Sequence, residues 1–308
     1  MTHEVTLDEA YAACRAIARR EAKNFYYAFI ALPLPRRNAI CAIYAFMRQA
    51  DDLADDESLP REERRIRLDS WLKDWRGVCE GPKTEIASAD PVFIAVRDAT
   101  ERYAIPLGLL DELVAGVTLD LKQAASDAPD TYATFADLYR YCYLVASVVG
   151  LVCIRIFGYR DRRAEKLAEE TGIAFQLTNI LRDVAEDAER NRVYLPLEDL
   201  AAHRVSLDSL LHHASGTPPT ADERALLKDI AQRAENFYRS GQALMPLIDR
   251  ESRPALWVLV SIYHALLKRI ERADYDVFSR RASVPMPEKL AILVAGWAQM
   301  GWARISFR

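Results

Sequence analysis

The stretch that decides the fold is residues 175–187, which read Phe-Gln-Leu-Thr-Asn-Ile-Leu-Arg-Asp-Val-Ala-Glu-Asp. It contains no glycine or proline, and its apolar residues recur at helical spacing, so the pattern predicts an α-helix. Asn179, Asp183 and Asp187 follow one another at intervals of four residues, which places them one turn apart on one helix face. Stacked carboxylates repel each other unless a cation lies between them. All three side chains offer the hard oxygen ligands that suit Mg²⁺.

Another acidic cluster, the first in chain order, lies in residues 48–56, which read Arg-Gln-Ala-Asp-Asp-Leu-Ala-Asp-Asp and follow an apolar helical run. Asp51 and Asp55 are again one turn apart, and Asp52 and Asp56 form a parallel pair beside them. A single pair of this kind is more often a solvated acidic face than a metal site. The presence of two such clusters favours the metal site.

Each acidic cluster also carries an arginine. Arg48 lies three residues before Asp51, and Arg182 directly precedes Asp183. Two facing carboxylate clusters repel each other strongly, and several divalent cations with a polyanion between them would remove that repulsion. Diphosphate is the natural polyanion for such a site.

These two motifs carry a family resemblance. The Asp-x-x-x-Asp pattern within residues 44–56, and residues 176–187 continuing to Asp-Ala-Glu-Arg-Asn-Arg-Val-Tyr-Leu-Pro at 187–196, resemble those of the squalene/phytoene synthase family. The resemblance extends from about residue 21 to about residue 290. It implies an all-α fold, a class I isoprenoid synthase helical bundle with a central cavity that forms a single domain over residues 1–308.

The resemblance implies a head-to-head prenyl transferase. The expected reaction is the Mg²⁺-dependent condensation of two farnesyl diphosphates to presqualene diphosphate, with Mn²⁺ as another usable cation. Whether the reaction continues to squalene or dehydrosqualene stays open, and NADPH is needed only if a reductive second step occurs. One alternative is a phytoene synthase that uses two geranylgeranyl diphosphates. An alternative of another class is a non-catalytic assembly factor of the same fold.

The resemblance also implies roles for individual residues. The metal ligands would be Asp51, Asp52, Asp55, Asn179, Asp183 and Asp187. The substrate contacts would be Lys23, Phe25, Phe29, Arg48, Gln176, Asn179, Arg182 and Arg280. The residues at the reacting centres would be Tyr44, Arg48, Tyr141, Arg182 and Tyr263. Each tyrosine, taken singly, also suits a half-buried core position.

Chain-length selection is expected to depend on Phe29, one helical turn beyond Phe25. The prenyl tails need an apolar tunnel whose depth is set by the side chain at its far end. A bulky aromatic residue there would close the tunnel early, and C30-forming members of the family resemble this pattern. The expectation is therefore farnesyl diphosphate rather than geranylgeranyl diphosphate, although Phe29 also suits a core position.

Two other classes of enzyme use similar metal chemistry. A head-to-tail prenyl transferase would have a second Asp-Asp-x-x-Asp motif, which the pattern Asn-Ile-Leu-Arg-Asp at 179–183 does not match. A terpene cyclase would carry a metal triad of Asn, Ser or Asp and Glu in a late helix, and no such triad is present. Both patterns favour the head-to-head class.

Composition sets the remaining expectations. The chain has 308 residues, 51% of them hydrophobic, and a net charge of −4 with acidic and basic residues interleaved, so nothing points to a nucleic-acid partner. The scattered cysteines suggest buried free thiols in a reducing compartment. We expect a cytoplasmic protein without a membrane span, with contact between the C-terminal helix and the inner membrane surface as an option. Monomer and homodimer both remain open.

Local patterns predict where several helices begin. Thr6 or Asp8, Ser58 and Thr134 are the predicted caps. One helix is expected over residues 135–157, where Ala146, Ser147 and Gly150 form a small-residue seam that permits either close helix approach or a ligand.

Overall fold

The computed structural model of the chain describes residues 4–56, 58–81, 89–123, 129–214 and 216–305, without the side chains at 23, 24, 120–123 and 299–305. Its first helices are α1 Leu7–Glu21, α2 Lys23–Ile30, α3 Leu34–Ala54, α4 Arg61–Glu80, α5 Pro91–Arg102, α6 Leu107–Gln123, α7 Phe135–Cys142 and α8 Val148–Phe157. The later helices are α9 Arg163–Glu189, α10 Leu197–Ala202, α11 Leu207–Leu211, α12 Ala221–Leu244, α13 Arg253–Arg272 and α14 Met286–Ile305. The predicted all-α fold is confirmed.

The two long helices α3 and α9 carry the acidic clusters. Helix α3 packs against α1, α5 and α6, while α9 packs against α8 and α12. Helix α13 contacts α2, α9 and α14. The buried apolar side chains form one continuous cluster that reaches from Ala10 in α1 to Leu293 in α14.

Strand structure in the described residues is limited to two short parallel segments, β1 Asp130–Thr131 and β2 Arg192–Val193. Asp130 pairs with Arg192 and Thr131 pairs with Val193. This pairing fixes the chain directly after α9 against the chain directly before α7. It therefore positions the C-terminal end of the second acidic motif.

The helix caps test the local predictions. Thr6 caps α1 in a capping box with Glu9, and Thr134 caps α7 in a capping box with Asp137. The prediction for Ser58 is wrong, because Pro60 occupies the N-cap position of α4. The Ser58 hydroxyl instead donates a hydrogen bond to Asp56 Oδ1. The ring of Pro60 fixes its φ angle at a value that suits the start of a helix. Helix α4 begins there without a side-chain cap.

The predicted helix over 135–157 is divided by a π-helical turn, Tyr143–Ser147. Both neighbours of this turn approach it through glycine. A Cβ atom added to Gly172 of α9 would lie 2.6 Å from Ser147 Cα, and one added to Gly116 of α6 would lie 2.8 Å from the Leu144 carbonyl oxygen. The Ser147 hydroxyl donates to the Glu169 carbonyl oxygen at 2.7 Å. At Ser147, the small-residue seam therefore serves close helix approach.

The Gly172→Ala substitution is expected to lower the free energy of unfolding by about 1–3 kcal/mol, because its methyl group overlaps backbone atoms that cannot rotate away. Gly77 of α4 is the matched control, since a Cβ atom there meets nothing within 4 Å. Gly77→Ala is expected to stabilise the protein by about 0.5–1 kcal/mol, the helix-propensity difference. Urea denaturation of both variants measures the contrast, and equal signs would contradict the close approach.

The stretch Phe135–Phe157 is also apolar enough, by length and composition, to cross a membrane, with 44% of its most apolar window buried inside the protein. Here the Phe135–Phe157 stretch packs against α6 and α9. Its apolar character is that of a helix in the protein core.

Candidate active site

The first acidic cluster lies at the C-terminal end of α3. Helix α3 ends at Ala54, Asp55 is its C-cap, and its last turn contains no basic residue. A helix C-terminus carries a partial negative charge, so Asp51, Asp52 and Asp55 add like charge to a site that already repels it. Arg64 of α4 approaches this helix end, donating to the Ala54 carbonyl oxygen at 3.2 Å. The arrangement favours a bound cation.

A cleft opens beside this cluster. Its empty volume is about 610 Å³, including its mouth toward solvent. The lining residues come from α3, α6, α7 and the π-helical turn and are Met47, Asp51, Asp55, Leu113, Gly116, Val117, Tyr141, Leu144 and Val145. Two predicted metal ligands and a predicted reacting-centre tyrosine thus share one cavity with apolar walls.

The second acidic cluster occupies the C-terminal part of α9. Both arginine groups that contact Asp183 do so through two nitrogens: Arg182 is its chain neighbour, and Arg281 donates from Nε and Nη2 at 2.9 and 2.8 Å. Arg281 also contacts Glu186 at 3.1 Å. The last turn of α9 contains no basic residue, so this cluster also adds negative charge to the negative end of a helix.

The net pKa shifts of the two carboxyl groups of this cluster have opposite directions. Burial raises the pKa of Asp183, but the hydrogen bonds and charges of Arg182 and Arg281 outweigh it and hold the pKa below its ordinary value. Burial and the neighbouring charge of Asp183 raise the pKa of Asp187 from 3.8 to about 7. Asp187 thus carries the uncompensated part of the negative charge, which a cation would stabilise.

The Asp187→Asn variant is expected to stabilise the metal-free protein at neutral pH. Between pH 3.8 and about 7 the folded protein holds a proton on Asp187 that the unfolded chain releases, so stability falls as pH rises through this window. After allowance for partial exposure of the group, the gain at pH 8 is on the order of 1–2 kcal/mol. The gain shrinks toward pH 4.

Thermal unfolding in EDTA at pH 5 and pH 8 measures this effect. Asp56→Asn is the control, because the hydrogen bond from Ser58 lowers the pKa of Asp56 and its removal relieves no repulsion of this kind. A gain in the Asp187 variant that is larger at pH 5 than at pH 8 would contradict the assignment.

Aromatic contacts connect the two clusters on one side of the cavity. Tyr141, which lines the cleft with Asp51 and Asp55, stacks on Tyr194 with ring centroids 5.0 Å apart. Tyr194 in turn lines a small pocket together with Asp187. One tyrosine pair therefore spans from the first acidic cluster to the second.

A second aromatic path runs along the other side. The centroid distances are 6.0 Å for Tyr44–Phe29, 6.5 Å for Phe29–Phe25, 5.6 Å for Phe25–Tyr263 and 4.5 Å for Tyr263–Phe175. These rings come from α3, α2, α13 and α9. They form a continuous series of ring contacts between the two motif helices, and the substrate and reacting-centre roles of Phe25, Phe29, Tyr44 and Tyr263 stay predictions.

The Tyr263 hydroxyl has neighbours on both motif helices. Burial raises the pKa of Tyr263 to about 12, and the groups that act on its hydroxyl include Arg182, Asn179 and Asp183 on α9 and Tyr44 on α3. Burial also raises the pKa of Tyr44, whose charged neighbours are Arg48, Glu21, Asp51 and Asp52. Both phenols therefore stay protonated at neutral pH and can donate a hydrogen bond.

Two unpaired atoms indicate which ligands the site fits. Asn179 Oδ1 and Arg48 Nε are buried and have no hydrogen-bond partner. Such an atom costs about 1–3 kcal/mol when it stays unpaired. An amide oxygen is a ligand for Mg²⁺, and a guanidinium N–H is a donor for a phosphate oxygen. The residues present therefore fit a divalent cation and a diphosphate.

Arginines pair with carboxylates of both clusters. Arg48 pairs with Asp52 at 2.5 Å, and Arg182 and Arg281 pair with Asp183. Across the described parts of the chain, no three carboxylate, imidazole or thiol groups lie close enough to hold one metal ion. Metal binding would require these ion pairs to exchange partners.

The remaining predicted residues fall as follows. Gln176 Oε1 accepts a hydrogen bond from Asn179 Nδ2 at 3.3 Å. The side chain of Lys23 lies outside the described residues. Arg280 and Arg281 are both exposed, and Arg281 reaches Asp183. Arg281 is therefore a residue at the site that the sequence patterns did not name, and the substrate role of Arg280 stays a prediction. The preceding Tyr275-Asp-Val-Phe-Ser pattern indicated the right segment but not which of two adjacent arginines turns inward.

Known proteins with similar sequences identify the family of this chain. The squalene/phytoene synthase family model matches residues 18–288. The 15-cis-phytoene synthase of Synechocystis is 32% identical over 306 residues, covering 95% of this chain and 86% of that protein. The phytoene synthase of Arthrospira platensis is 34% identical over 308 residues, covering 95% and 94%.

Solved structures give the same family. A dehydrosqualene synthase in complex with ligand aligns with a TM-score of 0.80 at 29% identity, covering 96% of this chain and 98% of that one. Squalene synthase HpnC from Alicyclobacillus acidocaldarius aligns with a TM-score of 0.76 at 25% identity, covering 88% and 96%. The chain belongs to the squalene/phytoene synthase family, whose enzymes catalyse head-to-head prenyl condensation.

Proposed function

We propose that this enzyme joins two molecules of geranylgeranyl diphosphate head to head, in the manner of a phytoene synthase. The observation that carries the proposal is that the curated relatives matching about 95% of the chain are named phytoene synthases. This choice replaces the C15 substrate expected from Phe29 alone. The two substrates share the same reacting groups, so the residues at the diphosphate end serve either one.

Ionisation of the first diphosphate needs charge neutralisation at the leaving group. Mg²⁺ bound by the Asp51, Asp55, Asp183 and Asp187 carboxylates would supply Lewis-acid stabilisation there. Arg48 and Arg182 offer guanidinium donors for the phosphate oxygens, and Arg48 Nε is the donor left without a partner. Bidentate contacts of this kind hold the leaving group in one orientation.

The allylic cation must then be protected from water until the double bond of the second substrate attacks C1. The rings of Phe25, Phe29, Phe175 and Tyr263 provide an apolar wall at this point. Aromatic faces stabilise cations through their quadrupole. The product of this step is a cyclopropylcarbinyl diphosphate. We propose that this intermediate then releases its diphosphate, and that the cation so formed rearranges and ends by loss of a proton, so that NADPH is not consumed.

The second candidate substrate is farnesyl diphosphate, and one observation favours it. Phe29 is 7% exposed, and its ring lies between those of Phe25 and Tyr44. A ring held in this way would block further extension of a prenyl tail. The dehydrosqualene synthase that aligns at a TM-score of 0.80 fits the same choice.

Substrate preference and product identity provide the test. The wild-type enzyme is expected to release pyrophosphate faster from geranylgeranyl than from farnesyl diphosphate, with a C40 hydrocarbon by mass spectrometry whether or not NADPH is added. A C30 product from the wild type would instead assign the C15 substrate. In either case Phe29→Ala should move the preference toward the longer chain by about tenfold, the effect of a few methylene groups in a pocket.

Tyr27→Ala is the matched control for Phe29→Ala, because it truncates an aromatic residue of the same helix. The Tyr27 hydroxyl contacts Met286 of α14 rather than the aromatic wall. No shift of preference is expected in this control. A destabilised Phe29 variant with unchanged preference would identify Phe29 as a core residue, with a loss of about 3–5 kcal/mol.

A further inference from the structure

The chain that follows α13 reaches the second acidic cluster, and we name its residues 273–281 the α13 strap. Helix α13 ends at Arg272, and the strap then turns sharply at Asp274 and Tyr275, whose φ angles are 53° and 60°. Residues other than glycine adopt this left-handed conformation where surrounding contacts hold them in it. The path of the strap is therefore set by its contacts.

The N-terminal end of α12 contacts the start of the strap. Arg224 Nε forms an ion pair with Asp274 Oδ2 at 2.9 Å and donates to the Asp274 carbonyl oxygen at 3.2 Å. The Asp274 side chain is largely exposed, and an exposed ion pair contributes little stability by itself. A stronger hold on the strap has to come from buried contacts.

A buried ring stack provides that hold in the middle of the strap. Phe278 is buried, and the His213 ring lies on it with centroids 3.8 Å apart and planes inclined by 11°. Both nitrogens of the His213 ring have neighbours, since Nδ1 lies 3.3 Å from Thr217 Oγ1 and Nε2 lies 3.5 Å from Glu223 Oε2. Glu223 is itself buried and closes the capping box of α12. His213 therefore connects Phe278 to the capped end of α12.

Arg281 lies three residues after Phe278 and is the strap residue that reaches α9. It donates from Nε and Nη2 to Asp183 Oδ1 at 2.9 and 2.8 Å, and its Nε lies 3.1 Å from Glu186 Oε1. The Arg281 side chain is half exposed, so its own burial does not fix its position. A functional group on an irregular segment is held precisely only where supporting residues hold the segment.

We propose that His213 is a positioning residue of this enzyme, and that its stack on Phe278 holds the Arg281 guanidinium at the second acidic cluster. Three residues span at most about 11 Å of extended chain, so a fixed Phe278 restricts where Arg281 can lie. The inference rests on the proposed function for what Arg281 then serves, which is positive charge beside the leaving diphosphate. A small displacement of such a group lowers the rate by a large factor.

Binding of inorganic pyrophosphate with Mg²⁺, measured by calorimetry on the full chain, tests the proposal without turnover. Arg281→Ala is expected to weaken this binding by about tenfold, the effect of losing a charged donor. His213→Ala is expected to weaken it by about threefold to tenfold in the wild type and to cause no further loss in the Arg281→Ala background, because it acts through Arg281.

Two further variants separate the ring stack from other effects. His213→Phe keeps a flat ring for Phe278 and should restore most of the affinity that His213→Ala loses. His212→Ala is the matched control, since the neighbouring His212 side chain is 75% exposed, and it should bind as the wild type does. If His213→Ala does not fold, His213→Leu replaces it, because leucine fills the site without a flat ring.

Urea denaturation in EDTA repeats the double-mutant cycle without any ligand. The losses of unfolding free energy in His213→Ala and Arg281→Ala should be less than additive. Additive effects in both cycles would overturn the proposal, and so would wild-type pyrophosphate binding by a folded His213→Ala variant. A wild type that does not bind pyrophosphate with Mg²⁺, but whose losses of stability are still less than additive, would contradict the proposed function and support the positioning of Arg281 by His213.

Discussion

Asp183→Asn is expected to lower kcat by about 10³-fold or more, equivalent to about 4 kcal/mol of transition-state stabilisation. The reason is that Asp183 lies where both arginines of the second cluster converge, and the amide removes the charge that would hold Mg²⁺ against the leaving diphosphate. Pyrophosphate release at saturating Mg²⁺ and substrate measures the loss. Asp55→Asn in the first cluster is expected to have an effect of similar size.

Asp56→Asn is the control for both substitutions, because Asp56 adjoins the first cluster but forms its hydrogen bonds with Ser58. It should retain wild-type turnover within about threefold, the range of a surface substitution. Asp183→Asn should also lower the melting temperature, since it leaves the mostly buried Arg182 without its carboxylate. Wild-type turnover in a folded Asp183→Asn variant would show that the metal site is elsewhere.

Chelation is expected to have the other large effect. EDTA should reduce pyrophosphate release to the background rate, and excess Mg²⁺ should restore it. The physical reason is that each acidic cluster lies at the negative end of a helix, α3 or α9, so the trianionic substrate cannot bind beside these carboxylates without added cations.

A measurement without turnover accompanies the chelation experiment. Mg²⁺ and inorganic pyrophosphate together, at about 100 times their dissociation constants, should stabilise the folded protein by about 2.7 kcal/mol. Pyrophosphate alone should give little stabilisation, and the Asp183→Asn variant should give little with both ligands. Full activity in EDTA, together with stabilisation by pyrophosphate alone, would contradict a metal-dependent site.

The acidic motifs could be predicted from the sequence because their meaning is local. Asn179, Asp183 and Asp187 share a helix face as a direct result of their spacing, and Asp51 and Asp55 do so too. Thr6 and Thr134 could likewise be predicted as caps, since a capping box depends on residues three positions apart. The all-α class followed from the same local patterns.

Contacts between distant segments were beyond such patterns. The stacking of Tyr141 on Tyr194 joins residues more than fifty positions apart and depends on the short pairing of β1 with β2. The contact of Arg281 with Asp183 depends on the path of an irregular segment after α13. No helical period there predicts which side chain reaches α9. The error at Ser58 arose because Pro60 supplied the entry geometry by other means.

The effect on stability of removing one carboxylate also depends on contacts that only the structure gives. From the sequence, removal of any one carboxylate in a stacked pair would relieve repulsion. The arginines on Asp183 lower its pKa, whereas burial raises that of Asp187. Relief is therefore expected at Asp187 and a loss of stability at Asp183. The arginines that neutralise Asp183, Arg182 of α9 and Arg281 of the segment after α13, decide whether removal of a carboxylate raises or lowers the stability of the fold.

The π-helical turn Tyr143–Ser147 acts as an angular offset between two parts of one long helical rod. An extra residue in a helix rotates everything beyond it by about 100° relative to an unbroken α-helix. Tyr141 before the turn can therefore face the cleft while Ser147, the last residue of the turn, faces Gly172. The direction of the Tyr141 side chain and the core packing of Ser147 are thereby uncoupled along a single segment. Each can change in evolution without rotating the other.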